Sequence, residues 1–489
     1  MTSIRKSFAV SFAQKYATLV IWTVTAMIVA RLLTPQEIGV FSVSVAIVHI
    51  AHMLRDFGIQ GYLIQERELT PARVRTAFTI TLIMSWTMAA MLVAVSGPFA
   101  TFYDEPGSRP LLVVLSLTFV VIPFNSTVLA LMRRDMQFSA ISVITVVTAF
   151  VQASATVALA AEGFSYMCYA WASLVGAITT AAMAGLYRRD AVRVWPGLAE
   201  WRRVAGSGAR LSASVVVHEL GSSANDLIIG RILGFAAVGI YSKALGLMNL
   251  FHQEIIGVVN FVSIPAMAAR DRAGHSLREP TLQAISMVTA LGWPFYAVLA
   301  LMALPILRVM FGNQWDAAAP LVEILALAGA LGLFWPLGYQ VLFALGRLKL
   351  LLNTMLIITC FRVAATLAAA SYSLAVVAWA LVATFMLSFL IYLWCMRRLI
   401  DLRSVDILAA SWRSAVIALA AAAAPLAVKI GWPMDGGTPL LPLMVAGAGA
   451  GIGWLAGVFV TGHPIKREIL MILTRVSPRL GRMQPKGIE

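Results

Sequence analysis

The sequence predicts an all-α polytopic membrane protein, with about fourteen transmembrane helices forming two six-helix lobes in parallel repeat plus two C-terminal helices. Three observations predict it. Apolar residues make up 60% of the 489 residues and charged residues only 12%, at a mean hydropathy of +0.85, which is more apolar sequence than a soluble core absorbs. Runs such as LVIWTVTAMIVARLL, LLVVLSLTFVVIPF and SAVIALAAAAAPLAV approach the roughly 20 residues that cross a bilayer as helix. Arginine and lysine collect in alternate loops, as the positive-inside rule requires of a chain that threads a membrane.

The opening stretch, MTSIRKSFAVSFAQKYATLVIW, is basic like a signal peptide. Its apolar run continues to Leu33, beyond the roughly 7 to 15 residues of a signal core, and no small-residue cleavage site follows. It is expected to remain as the first helix, 12–33. Apolar windows bounded by charge, Pro and Gly then place helices at 38–63, 75–97, 110–131, 139–160 and 165–187, which complete an N-lobe of residues 1–187. A cytoplasmic linker, 188–208, precedes a C-lobe, 209–396, with helices at 209–232, 238–264, 281–304, 318–345, 349–370 and 374–396. Helices 412–432 and 439–461 fall in a 397–461 appendage, followed by a basic tail, 462–489.

With a cytoplasmic N-terminus, the inner connections carry Arg67, Arg73 and Arg75; Arg133 and Arg134; Arg188 to Arg210; Arg270 to Arg278; Arg347 and Lys349; and Arg397 to Arg413. The outer ones hold only Arg31, Arg109, Arg231, Arg308 and Lys429. Both termini are therefore expected in the cytoplasm. This topology accounts for most of the net charge of +15, so no nucleic-acid partner is inferred. In the longest inner connection, Trp195, Leu198 and Trp201 stand among arginines, a pattern that suits either the headgroup region or an ordinary charged linker.

One junction is written twice. ARLLTPQEIGVFS ends at Ser42, and 200 positions later GRILGFAAVGIYS ends at Ser242. Arg31 and Arg231, Leu33 and Leu233, and Gly39 and Gly239 coincide at that offset, with Phe41 matched by Tyr241 and His52 by His252. Each copy joins the first helix of a six-helix unit to the second, so the offset implies two units inserted in the same orientation, a known transporter architecture. The glycines at 39 and 239 are expected to permit a tight turn.

These stretches, with FYDEPGSRPLLVVLSL, LMRRDMQFSA and VSIPAMAARDR, resemble the Wzx-type polysaccharide transporters of the multidrug/oligosaccharidyl-lipid/polysaccharide exporter superfamily, particularly their colanic-acid-exporter-like branch. The resemblance covers most of residues 10–350. It implies a V-shaped helical bundle that moves an undecaprenyl-pyrophosphate-linked oligosaccharide across a bacterial inner membrane, within a polysaccharide pathway that includes a polymerase and co-polymerase.

Ionisable residues within spans are costly and rare, so each is a candidate. Arg362, Lys243 and Arg55 are expected to set positive charge at several depths, where a pyrophosphate leaving water needs counter-charge. The alternatives are an ion pair of Arg362 with Glu219 or Glu254, snorkelling of Lys243, and pairing of Arg55 with Asp56. Ser212, Glu219 and Asp226 recur at heptad spacing, which puts both carboxylates on one helical face. Glu219, Asp226, Glu254, His52 and His252 are candidates for coupling to a proton or Na⁺, although polar residues also fasten helices together. His49, His52 and Arg55 follow i, i+3, i+6 spacing on one face. Pro123, Pro265, Pro294, Pro305 and Pro336 are expected to interrupt their helices.

No cofactor, nucleotide loop, metal-ligand cluster or nucleophile arrangement is recognisable, and Cys168, Cys360 and Cys395 show neither disulfide nor metal spacing. The expected activity is therefore non-enzymatic translocation. A cation-coupled drug exporter of the same superfamily and a polyprenyl-dependent glycosyltransferase are the alternatives. The first would want an apolar or acidic cavity, and the second paired acids on an outer loop, where only Asp104 and Glu105 qualify.

Overall fold

The structure, a computed structural model, describes residues 2–56, 58–66, 68–188, 196–199, 201, 221–272, 275–432 and 439–476. The described residues fold into helices without strands, and twelve of these helices are long and apolar enough to cross a membrane. Their outer surfaces fit a lipid solvent: Val460 is 85% exposed, Ile430 79% and Leu419 73%. Water would penalise such exposure by roughly 25 cal/mol per Å², whereas hydrocarbon does not.

The chain divides into two compact units, Met1–Ser242 with Thr366–Leu374, and Lys243–Ala365 with Ala375–Glu489. The first contains α1 (Thr2–Leu32), α2 (Pro35–Asp56), α3 (Ile59–Gln65), α4 (Pro71–Tyr103), α5 (Ser108–Arg134), α6 (Phe138–Ala161) and α7 (Met167–Tyr187), and α8 at 221–232. Here α1 packs on α6, α4 on α5, and both α5 and α6 on α7. The start of α2 is locked by a capping box: Thr34 N–H donates to Glu37 Oε2 at 2.7 Å, and Glu37 N–H donates to Thr34 Oγ1 at 3.3 Å. The expected second span does not run unbroken to 63. Gly58, at φ +65°, adopts the left-handed conformation that glycine tolerates and separates α2 from α3. Ile59, Tyr62 and Leu63 of α3 then pack against Ala77 and Ala130. Arg133 Nη1 donates to Gln60 Oε1 and Arg134 Nη1 to the Leu63 carbonyl, both at 3.1 Å, so this loop-arginine pair also pins α3.

The ninth helix, α9 (Phe235–Arg272), opens with the second copy of the repeated junction. Neither Gly39 nor Gly239 makes a turn, contrary to expectation, since both lie inside helices. A Cβ at Gly39 would overlap the Phe235 carbonyl oxygen, and a Cβ at Gly239 would overlap the Pro35 carbonyl oxygen. The same 200-residue offset relates Pro35 to Phe235. The two copies therefore pack on each other reciprocally, each glycine making room for the first-turn carbonyl of the other copy. The turn itself is made in the second copy by Gly234, at φ +84°.

The second unit holds most of α9, then α10 (Arg278–Leu301), α11 (Ala303–Met310), a 3-10 turn (Asn313–Ala318), α12 (Ala319–Gly332), α13 (Trp335–Ala344), α14 (Leu348–Ala370), α15 (Leu374–Ile400), α16 (Ser404–Gly431), α17 (Leu440–Thr461) and α18 (Ile465–Val476). The ends of α14 and α15 around Thr366–Leu374 belong to the first unit. The prolines are less uniform than expected. Pro123, Pro265 and Pro294 lie inside continuous helices. Pro305 and Pro336 instead sit in the first turns of α11 and α13, positions where the missing N–H costs little. The spans expected at 281–304 and 318–345 are accordingly broken, at Met302 and at Leu333–Phe334. Arg308 closes the α11 corner, its Nε 3.0 Å from Asp316 Oδ1 and its Nη2 2.8 Å from Asp316 Oδ2, the bidentate geometry that arginine favours.

Residues 465–476, expected as part of a basic tail, form the amphipathic helix α18. Ile465 and Ile469 pack against Ala290, Ile417 and Val458. Just before it, His463 is 1% exposed. Its Nδ1 accepts from Ile465 N–H at 3.2 Å, and its Nε2 lies 2.9 Å from Ser286 Oγ. With Nδ1 accepting, the neutral ring carries its proton on Nε2 and donates to Ser286. Burial, aided by the nearby Arg413 guanidinium, holds His463 below the ordinary histidine range.

Candidate functional site

The candidate residues fall into separate settings. Arg362 is partly buried in α14, and its place in the helix, counted from Leu348, puts it roughly 21 Å along the axis at 1.5 Å per residue. Arg55, in the last turn of α2, is 6% exposed. Its helical neighbour His52 stacks on Phe119 with ring centroids 4.2 Å apart, whereas His49 is exposed. The three residues therefore share a helical stripe but not an environment. Asp56, proposed as a partner for Arg55, has a side chain outside the described residues.

Lys243, on α9, is enclosed by aromatic faces. Its Nζ lies 5.0 Å from the Phe311 ring centroid and 5.4 Å from that of Trp315, within the range at which a ring quadrupole attracts a cation. Trp315 is fully buried and lies on the 3-10 turn that Arg308 and Asp316 brace. Nothing in the sequence links residue 243 to 311 and 315, because only the break after α11 brings that turn back.

Asp226 is partly buried on α8, beside Asn225 and Ser223, which are 6% and 5% exposed. Thr366, at the far end of α14, donates its hydroxyl to Asn225 Oδ1 at 3.0 Å, and Tyr103 donates to the Leu227 carbonyl at 2.9 Å. These two bonds tie α8 to α14 and α4 through the residues on either side of Asp226. Glu219 and the side chains of His252 and Glu254 lie outside the described residues.

In the second unit a groove of about 590 Å³ runs between α10, α12 and α16. Alanines and aromatic residues form its walls, among them Trp293, Tyr296, Ala330, Phe334 and Ala422. Its one charged lining residue, Glu323, is bound to Lys429 at 3.0 Å. Such a surface can hold an apolar chain and offers almost nothing to a polar one. Among the described residues, no three His, Cys, Asp or Glu side chains converge as metal ligands.

The fold is similar to that of the lipid II flippase MurJ in its inward closed conformation, at a TM-score of 0.76 and 8% identity, covering 95% of this chain and 100% of that one. It is also similar to an inward-facing multidrug resistance MATE family transporter of the MOP superfamily, at a TM-score of 0.63 and 14% identity over 81% of this chain and 94% of that one. In sequence, the chain is 25% identical over 308 residues to the lipopolysaccharide biosynthesis protein WzxC of Escherichia coli, 62% of each chain. It is 26% identical over 334 residues to the succinoglycan biosynthesis transport protein ExoT of Rhizobium meliloti, 67% of this chain and 66% of that one. The match therefore spans somewhat less than two thirds of the length of each of these relatives. Residues 28–320 match the family described as polysaccharide biosynthesis protein. That is more than half of the 489 residues, and the chain belongs to this family.

Proposed function

We propose that this protein is a flippase that carries an undecaprenyl-pyrophosphate-linked oligosaccharide from the cytoplasmic to the outer leaflet of a bacterial inner membrane by alternating access, for exopolysaccharide or lipopolysaccharide synthesis. The observation that carries this reading is arginine inside membrane-spanning helices of a polysaccharide-biosynthesis chain, with Arg55 6% exposed in α2 and Arg362 midway along α14. A guanidinium is a costly residue at that depth, and a pyrophosphate headgroup is a ligand that repays it with charge-assisted, bidentate hydrogen bonds. The apolar groove between α10, α12 and α16 suits the isoprenoid tail, which need never leave an apolar medium. The same arginines would repel the organic cations of a drug exporter.

In this reading both termini are cytoplasmic. Asp226, a partly buried carboxylate within a membrane-spanning helix, is the residue suited to bind a proton or Na⁺ that drives the cycle. A polysaccharide polymerase and co-polymerase receive the product. Arg362→Ala should abolish polymer export while the protein still inserts at wild-type levels. Arg362→Lys should restore part of it, since a point charge survives but the planar fork is lost. Normal polymer yield from a well-inserted Arg362→Ala variant would remove Arg362 from the mechanism.

A further inference from the structure

A cavity of about 280 Å³ lies inside the first unit, bounded by α1, α5, α6 and α7. Its chemistry is unlike that of the apolar groove. One face of α6 presents Thr145, Thr148 and Gln152 to it, Thr180 faces them from α7, and Trp22 of α1 and Arg133 at the end of α5 complete the lining. Threonine and glutamine also fasten helices together in a bilayer, but here they border open space.

The hydroxyls are occupied but not saturated. Thr145 donates to the Ile141 carbonyl at 2.8 Å and Thr180 to the Gly176 carbonyl at 2.9 Å, while the Thr148 and Thr180 hydroxyl oxygens lie 3.1 Å apart. Each hydroxyl oxygen carries two lone pairs, so acceptor capacity remains. The Gln152 amide makes no hydrogen bond to any described residue. It lies flat against α7 because position 176 is glycine, where a Cβ would come within 2.5 Å of Gln152 Oε1. The amide is partly buried and borders the cavity, so its donors and acceptor are available to a polar ligand there. No carboxylate lines the cavity, so a cation finds no counter-charge there. Trp22, 42% exposed, offers a flat apolar face at the rim, against which the C–H face of a pyranose ring can lie.

We infer that this cavity is a subsite for a neutral sugar ring, held by Gln152, Thr148 and Thr180 against Trp22. It rests on the flippase reading and extends it, because the sugars would be gripped separately from the pyrophosphate. Its volume, below the roughly 300–1,000 Å³ of pockets that enclose drug-sized ligands, limits it to a short part of the glycan.

The test uses the full chain purified in detergent and two probes: undecaprenyl pyrophosphate, and the lipid-linked oligosaccharide extracted from cells lacking this protein. Gln152→Leu and the near-isosteric Thr148→Val should each weaken binding of the glycosylated lipid, by up to about tenfold, and leave undecaprenyl pyrophosphate binding unchanged. Gly176→Ala, which displaces Gln152, should reproduce the first effect. Equal losses for both probes, or no loss for either, would overturn the sugar subsite while leaving the flippase reading intact. A wild-type chain that binds neither probe would overturn both.

Discussion

The glycine pair shows how much depends on a missing methyl group. Gly39 and Gly239 each leave space for a backbone carbonyl of the other junction copy, an approach that brings Cα–H groups against carbonyl oxygens. Gly39→Ala and Gly239→Ala should each destabilise the protein by about 1–3 kcal/mol, the usual penalty for overpacking a close contact, read as a lower unfolding midpoint in detergent. Because both act at one interface, the double variant should lose less than the sum of the two; strict additivity would mean that the contacts are independent. The recurrence of these glycines was legible in the sequence, but their purpose was not, since periodicity reports register and not which helix approaches. Lys243 repeats the lesson. Its depth can be read from its place in an apolar run, but Phe311 and Trp315 reach it only through a fold-back some seventy residues away that no local pattern encodes.

At the scale of elements, most helices were legible because a bilayer imposes their length and apolar composition. The breaks were not. Proline marked real interruptions at Pro305 and Pro336, but Pro123, Pro265 and Pro294 are absorbed within helices, where neighbouring helices and local adjustment re-satisfy the freed carbonyls. The least legible element was α18, whose basic residues resemble a tail although Ile465 and Ile469 dock it on the bundle. His463 makes that docking sensitive to acid. Its folded-state pKa lies below the unfolded value, so the unfolded or undocked form binds the proton more tightly. Stability is therefore retained above the unfolded value of about 6.5 and lost as pH falls through it toward the folded value. Amide hydrogen exchange in residues 465–476, corrected for intrinsic rates, should be faster at acidic than at neutral pH, and His463→Gln should flatten that dependence. A profile equally steep in the variant would assign it to another group.

For the whole molecule, composition and loop charge led to a polytopic helical membrane protein, and the fold it shares with MurJ and MATE transporters agrees. The proposed substrate is an amphiphile, a charged and glycosylated head on an isoprenoid tail. The most direct measurement follows lipid-linked oligosaccharide in spheroplasts of a strain lacking this protein, using a membrane-impermeant sugar-modifying enzyme added from outside. The intermediate is expected to accumulate where that enzyme cannot reach it, and to become accessible when the wild-type chain is restored but not when Arg362→Ala is. An intermediate modified from outside in the deleted strain, or one that never forms, would contradict it.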